Sequence, residues 1–238
     1  MDMHGKVVLV TGANRGLGRA LTQALAERGA TVLMVCRDRE AGAEVEEELR
    51  GKGLDVTLYV ADMASIDDIE GLGEEVAVEF DRLDVLVNCA GVNLDSAETT
   101  VENIPLAVLE TTVAINFMGP FWMCKQLLPL LRQSPSARII NFSSGIGRLT
   151  VDAMGPYPAY SISKTAINAL TKVLAAELAE TGIIVVAVDP GWARTDMGGP
   201  DAPLSVEEGI DTPLWLATAE PDEIESGRLY LARQIVSW

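Results

Sequence analysis

Lys6-Val-Val-Leu-Val-Thr-Gly-Ala-Asn-Arg-Gly-Leu-Gly18 joins a short apolar run to a glycine-spaced turn, and the amphipathic segment Arg19–Arg28 follows. Successive apolar positions suit a strand covered on both faces, as in a parallel sheet packed between helices. Gly12 permits a sharp turn, Gly16 lets a diphosphate approach the backbone, and Gly18 lets helix and strand pack closely. Phosphates would then rest on the free N–H groups of a helix N-terminus. The spacing is not that of a P-loop, because Leu17 rather than a lysine follows Gly16.

Outward from this turn the same alternation repeats. Apolar, β-branched runs lie at Lys6–Val10, Thr31–Cys36, Asp55–Val60, Leu83–Asn88, Arg138–Ser143, Ile184–Val188 and, weakly, Arg228–Leu231. Between them lie helix-period segments such as Ala41–Arg50 and Ile66–Phe80, long enough for parallel crossovers. The pattern predicts a single α/β domain over residues 1–238, a Rossmann fold with a doubly wound parallel sheet of about seven strands flanked by helices. Two helices differ from the rest. Leu106–Arg132 and Tyr160–Thr181 are apolar on more than one face, which points to a homodimer or homotetramer interface, with deep burial in the monomer as the alternative.

Composition narrows the function. The chain has 238 residues, 48% of them apolar, with 18 Lys plus Arg against 35 Asp plus Glu and a formal charge of −17. That charge repels phosphate backbones and anionic lipid, so nucleic acid and membrane surfaces are not expected partners. The longest uncharged stretch, Thr111–Cys124, is interrupted by Asn116 and Pro120 and is too short to span a bilayer. The opening MDMHGKVVLV lacks a basic region before a long apolar one, so no secretory leader is expected. Cys36, Cys89 and Cys124 are odd in number and widely spaced, which suits a reducing cytoplasm and neither a disulfide framework nor a metal site. The only histidine, His4, lies near the N-terminus, so acid–base chemistry must use other groups.

The second strand run ends Val35-Cys-Arg-Asp38. In dinucleotide folds an acid near this point holds the ribose 2′-OH, whereas an arginine accommodates a 2′-phosphate. With Cys36 in the acid's place, Arg37 and Arg15 together form a phosphate clamp; if Asp38 reached the ribose instead, NAD would be preferred. Further on, Tyr160 and Lys164 stand four apart and share one helix face. An ammonium about 4 Å from the phenol contributes about 4 kcal/mol at an effective dielectric of about 20. That lowers the phenol by about three pKa units before desolvation opposes it.

Thr11–Gly18, Asn88–Gly91, Asn116, Ser144, Tyr160-x-x-x-Lys164 and Pro190-Gly-Trp-Ala-Arg-Thr195 occur in this order. Together they resemble the short-chain dehydrogenase/reductase family over nearly the whole chain. The stretches LLPLLRQSPSARIINFSS and PGWARTDMGGP, with the closing Ser226–Trp238, are most similar to its carbonyl-reductase-like members. The resemblance implies that Tyr160 protonates a carbonyl oxygen or deprotonates an alcohol, while Lys164 lowers the Tyr160 pKa and holds the nicotinamide ribose. It implies that Ser144 bonds the substrate oxygen and that Asn116 anchors a water leading to Lys164. The implied cofactor is NADP(H) in preference to NAD(H), held by Gly12, Asn14, Arg15, Gly16, Leu17, Gly18, Arg37, Asp62, Met63, Asn88, Ala90, Gly91, Tyr160, Lys164, Pro190, Gly191 and Thr195. No metal is implied.

The expected function is therefore hydride transfer between a nicotinamide and an aldehyde, ketone, quinone-like carbonyl or matching secondary alcohol. The alternative is a catalytically silent protein of the same fold that senses NADP(H). Several residues keep open readings. Ser143 competes with Ser144 for the site, Asn116 could simply bond backbone, and Asp189 reads as a strand-end turn residue. Tyr157 is a decoy for Tyr160, since Ser161 stands where it would need a lysine. Sixteen residues separate Ser144 from Tyr160, about three more than the family's commonest spacing, with the excess in Leu149–Pro158. The segment after Met197, rich in Gly and Pro, is either a mobile flap or a plain surface loop. Val92, Ile146, Met154, Tyr157, Trp192 and Met197 are candidates for an apolar substrate wall.

Overall fold

The computed structural model describes residues 2–150 and 156–238. Eight strands form one sheet in the order β3-β2-β1-β4-β5-β6-β7-β8. They are β1 (Val7–Thr11), β2 (Thr31–Cys36), β3 (Val56–Val60), β4 (Val85–Asn88), β5 (Arg138–Phe142), β6 (Ile184–Val188), β7 (Leu229–Leu231) and β8 (Gln234–Val236). Strands β1 to β7 are parallel and β8 returns antiparallel on β7. The helices are α1 (Gly16–Ala26), α2 (Arg39–Gly51), α3 (Ile66–Glu79), α4 (Leu106–Val113), α5 (Gly119–Leu131), α6 (Pro158–Glu177) and α7 (Val206–Thr218).

Each buried strand feeds two cores. In β1, Val8 and Val10 pack on the face covered by Leu21 and Leu25 of α1, together with Ile210 and Leu216 of α7. Leu9 between them enters the opposite core, with Leu72 and Val76 of α3 and Met123 and Leu127 of α5. This period-two division in a run that is apolar throughout explains why the strands carry no polar face. Because β1 has β2 on one side and β4 on the other, the chain reverses its direction of sheet growth between β1 and β4. Ligands in such sheets bind at that switch point, beyond the carboxyl ends of the strands.

The seven parallel strands match the expectation of about seven, and β8 adds an antiparallel edge. Strand β8 is three residues long, and its hairpin turn places Ala232 and Arg233 at φ 49° and 59°. Glycine or asparagine usually marks such a turn, and neither is present, so the sequence carries no signal for it. The turn is held instead from α7, where Thr212 accepts from the Arg233 N–H and Asp211 pairs with the guanidinium.

The predicted helix Leu106–Arg132 is divided: α4 passes into a π-helical turn, Ala114–Met118, before α5 begins. As folded, Leu106–Leu131 has the length and mean hydropathy of a bilayer span, which the uncharged stretch alone did not. Its Met123, Cys124, Leu127, Leu130 and Leu131 pack on the sheet, and a helix in a buried layer acquires the same composition. Its outward apolar residues Leu106, Met118 and Phe121 are exposed, as are Ile162 and Val173 of α6.

Candidate active site

A cavity of ≈ 570 Å³ opens at the switch point, bounded by the β1–α1 turn on one side and α6 on the other. Its floor is made by close backbone contact. A Cβ on Gly18 would lie 2.2 Å from the Gly12 carbonyl oxygen, and one on Gly12 would lie 2.9 Å from the Ala90 Cα. Thr11 fixes this arrangement: its hydroxyl oxygen accepts from the Cys89 and Ala90 N–H groups at 3.1 and 3.0 Å, tying β1 to the end of β4. Helix α1 begins after Arg15 with no side-chain cap among the described residues, and Gly16, Leu17 and Gly18 of its first turn line the cavity. An uncapped helix start behind a glycine cradle fits a dinucleotide diphosphate.

At the adenine end, Arg15, Arg37, Asp62 and Met63 line the cavity with Asn14, Leu17, Cys36 and Asp38. Asp38 caps α2, accepting from the Ala41 N–H at 3.1 Å, which engages the carboxylate that would otherwise be free to meet a ribose. Both arginines are exposed and each meets a carboxylate: Arg15 lies 3.0 Å from Asp196, and Arg37 lies 3.6 Å from Asp62. Such exposed pairs are weak, so a phosphate dianion can displace them.

At the other end the structure brings Tyr160, Lys164 and Ser144 together. The Ser144 side chain lies close enough to the Tyr160 phenol for its hydroxyl to favour the phenolate. The Lys164 Nζ lies 5.5 Å from the centre of the Tyr160 ring and donates to the Phe142 carbonyl oxygen at 2.7 Å. Ser143 lines the cavity and Ser144 does not, although the Ser143 hydroxyl is engaged in donating to Asn168 Oδ1 at 2.5 Å. The expected direction of the Tyr160 shift is reversed. Burial pushes the phenol up to about 12, the Ser144 hydroxyl opposes this and the Asp189 charge adds to it. Burial likewise brings the Lys164 ammonium down to about 8, with Cys89 and Asp189 pulling it back up. Desolvation of the charged form is the largest cause for each group.

Asn116 stands in the π-helical turn and is buried. Its side chain exchanges two 2.8 Å bonds with the Val92 backbone and donates to Ser163 Oγ at 3.0 Å, and Ser163 in turn donates to the Tyr160 carbonyl. Its amide is thus engaged in fastening the β4–α4 loop to α6. Ala90 and Gly91 line the cavity, but Asn88 lies behind it, donating to Asn141 Oδ1 between β4 and β5 at 2.8 Å. Pro190 and Thr195 line the cavity and Gly191 does not. The loop beyond is pinned: the Trp192 indole donates to the Gly198 carbonyl at 2.8 Å, and Arg194 bonds the Ala202 and Pro203 carbonyls, both at 2.9 Å. Val92 and Met197 lie in the cavity wall, whereas Met154 falls outside the described residues.

Sequence reasoning gave no role to four residues that order this site: Thr11, Ser163, Asn168 and Asp95. Asp95 reaches from the β4–α4 loop to accept the Tyr160 N–H at 2.8 Å, and Asn168 donates to the Gly147 carbonyl at 3.0 Å. Only Ser163 had a usable signal, as a serine three residues after Tyr160 on the same helix face.

A family pattern described as short chain dehydrogenase matches residues 6–203. Mouse carbonyl reductase (NADPH) 1 is 32% identical, with both chains covered in full. Among solved structures, the NADPH-bound carbonyl reductase from chicken fatty liver superposes with a TM-score of 0.88 at 25% identity, over 99% of this chain and 95% of that one. The carbonyl reductase Sniffer of Drosophila melanogaster gives 0.87 at 29% identity, over 99% and 100%.

Proposed function

The chain belongs to the short-chain dehydrogenase/reductase family, and from that premise we propose that it is an NADP(H)-dependent oxidoreductase acting on an aldehyde, ketone or quinone-like carbonyl or on the matching secondary alcohol. The observation that carries this reading is the Ser144–Tyr160 contact beside the buried Lys164 ammonium, at the inner end of a cavity whose outer end holds Arg15 and Arg37. Relatives named for NADPH, and solved relatives holding NADP or NADPH, support the choice of cofactor. So does the engagement of Asp38 as the cap of α2.

The nicotinamide, when bound, supplies the hydride exchanged with the carbonyl carbon. The residues supply the rest. Ser144 holds the substrate oxygen against the Tyr160 hydroxyl, which gives its proton to that oxygen as negative charge develops on it. A phenol held near 12 is fully protonated at neutral pH, as a donor must be, and an alkoxide is basic enough to take the proton. Lys164 places a positive charge next to the phenolate that remains and so stabilises it until solvent returns the proton. Asn116, through Val92 and Ser163, holds the loops that bound this reaction volume.

The test is NADPH and NADH oxidation by the purified protein over a panel of aldehydes, ketones, diketones and quinones, with Tyr160→Phe beside it. The expected result is turnover with NADPH that falls by about 10²–10⁴ in the variant, while NADPH affinity stays within about twofold. Turnover near wild type in Tyr160→Phe overturns the mechanism. Tight NADPH binding with no turnover on any carbonyl favours the sensing protein instead.

The exposed Leu106, Phe121, Ile162 and Val173 form the face on which a second copy of the chain would dock, giving a homodimer or homotetramer. Light scattering on dilution tests this, and a monomer mass throughout removes it. The free thiols Cys36, Cys89 and Cys124 suit the reducing cytoplasm.

A further inference from the structure

Asp189 closes β6 and is buried, yet it has no direct cationic partner among the described residues. One carboxylate oxygen accepts the Gly191 N–H at 2.9 Å. The other packs against the Gly145 backbone, where a Cβ on Gly145 would approach Oδ2 to 3.0 Å and the Gly145 N–H favours the ionised carboxyl. Gly145 follows Ser144 in the loop after β5, and Gly191 follows Pro190 in the loop after β6. One side chain therefore joins the segment that presents a hydroxyl to Tyr160 with the segment that lines the cavity across from it.

A strand-end aspartate that only shaped its own turn would need the Gly191 bond alone and could leave its second oxygen in water. Here the second oxygen is spent on a neighbouring strand's loop, at the cost of burying a negative charge next to Tyr160 and Lys164. We propose that Asp189 is a positioning residue of the active site, whose carboxylate fastens the Ser144 loop to the Pro190–Gly191 loop and sets the charge against which Tyr160 and Lys164 ionise. The inference deepens the oxidoreductase reading and rests on it only for the rate measurements below.

The charged and titratable groups facing this carboxylate come from two elements: Arg148 from the loop after β5, and Tyr160 and Lys164 from α6. Cys89, from the loop after β4, also faces Lys164. Cys89 is held as the neutral thiol, since burial pushes it up to about 12. A negative charge at Asp189 disfavours the Tyr160 phenolate and favours the Lys164 ammonium. Its removal must therefore move both ionisations to lower pH.

Asp189→Asn keeps an acceptor for Gly191, and Asp189→Ser gives a smaller neutral side chain should the asparagine amide fold poorly against Gly145. The direct measurement is NMR titration of the ligand-free protein labelled at the lysine ε-carbons, with the Lys164 signal assigned by Lys164→Arg. In the parent the Lys164 signal is expected to titrate below the ordinary lysine range, at about 8. In either variant it should titrate about one unit lower, with the other lysines unmoved. An unmoved Lys164 in both variants overturns the proposal. The second measurement is the pH profile of carbonyl reduction and alcohol oxidation, in which both limbs should move to lower pH. A lower rate with unmoved limbs marks a purely structural residue and likewise overturns it. A shifted Lys164 in a protein that turns over no carbonyl supports the Asp189 coupling and counts against the oxidoreductase reading.

Discussion

Two buried aspartates stand at opposite edges of the same sheet and are treated in opposite ways. Asp84, just before β4 at the amino edge, accepts from the Val7 N–H at 2.9 Å and the Ser134 hydroxyl at 2.7 Å, with Arg82 at 3.2 Å and Lys6 at 3.4 Å. Burial works against its ionisation, but these four donors outweigh it and hold the carboxyl below the usual range. Asp189, at the carboxyl edge, accepts the Gly191 N–H, packs against Gly145 and makes no ion pair among the described residues, so burial prevails over the charges of Arg148 and Lys164 and its carboxyl is raised. A buried acid surrounded by cations is part of the scaffold. A buried acid left to act on its neighbours marks the edge where chemistry is done.

The contrast can be broken most sharply at the amino edge. Asp84→Ala strands the Val7 N–H and removes the counter-charge of Lys6 and Arg82, so urea unfolding should show a loss of about 2–4 kcal/mol with the turnover of the remaining folded protein unchanged. Next in size, Arg37→Ala should weaken NADPH by about tenfold and leave NADH within about twofold, measured by fluorescence titration. Equal losses for both cofactors would remove Arg37 from 2′-phosphate recognition. Smaller still, Asp189→Asn should change stability by no more than about 1 kcal/mol, because a buried charge is removed together with one hydrogen bond. Last, Asp196→Asn breaks only an exposed pair with Arg15 and should leave the urea midpoint where it is.

Acid unfolding sharpens the comparison through its sign. Asp84 has a depressed folded pKa, so its contribution is complete above the unfolded value of about 3.9 and is lost as pH falls through the folded value. Asp189 has a raised folded pKa, so its contribution is complete below about 3.9 and is lost as pH rises through the folded value. Stability measured against pH should therefore flatten at the acid end in Asp84→Asn. In Asp189→Asn it should lose the decline that accompanies rising pH. Parallel curves for the two variants would erase the distinction.

Much of the scaffold was legible in the chain because its signals are local. Thr31–Cys36 and Ile184–Val188 coincide with β2 and β6, since a strand buried on both faces is written as an unbroken apolar run. Helix α7 went unread although Ser205-Val-Glu-Glu208 is a capping box with both of its bonds in place. Strand β8 had no such mark, because its turn is enforced by Thr212 and Asp211 on a distant helix.

By itself the sequence determined which residue types are available and in what order: the glycine turn, two arginines, a Tyr/Lys pair on one helix face and a serine pair at the end of β5. These follow from periodicity and from backbone geometry over a few residues. Only the tertiary structure decided that the Ser143 hydroxyl is engaged by Asn168, that Asp38 is engaged as a helix cap and that Asn88 lies behind the cavity. It also decided the electrostatics. Spacing places an ammonium near a phenol, but whether attraction or desolvation wins depends on how much water the surrounding loops exclude. Tyr160 and Lys164 are buried deeply enough that desolvation prevails, and that depth is a property of strands and loops far apart in the chain.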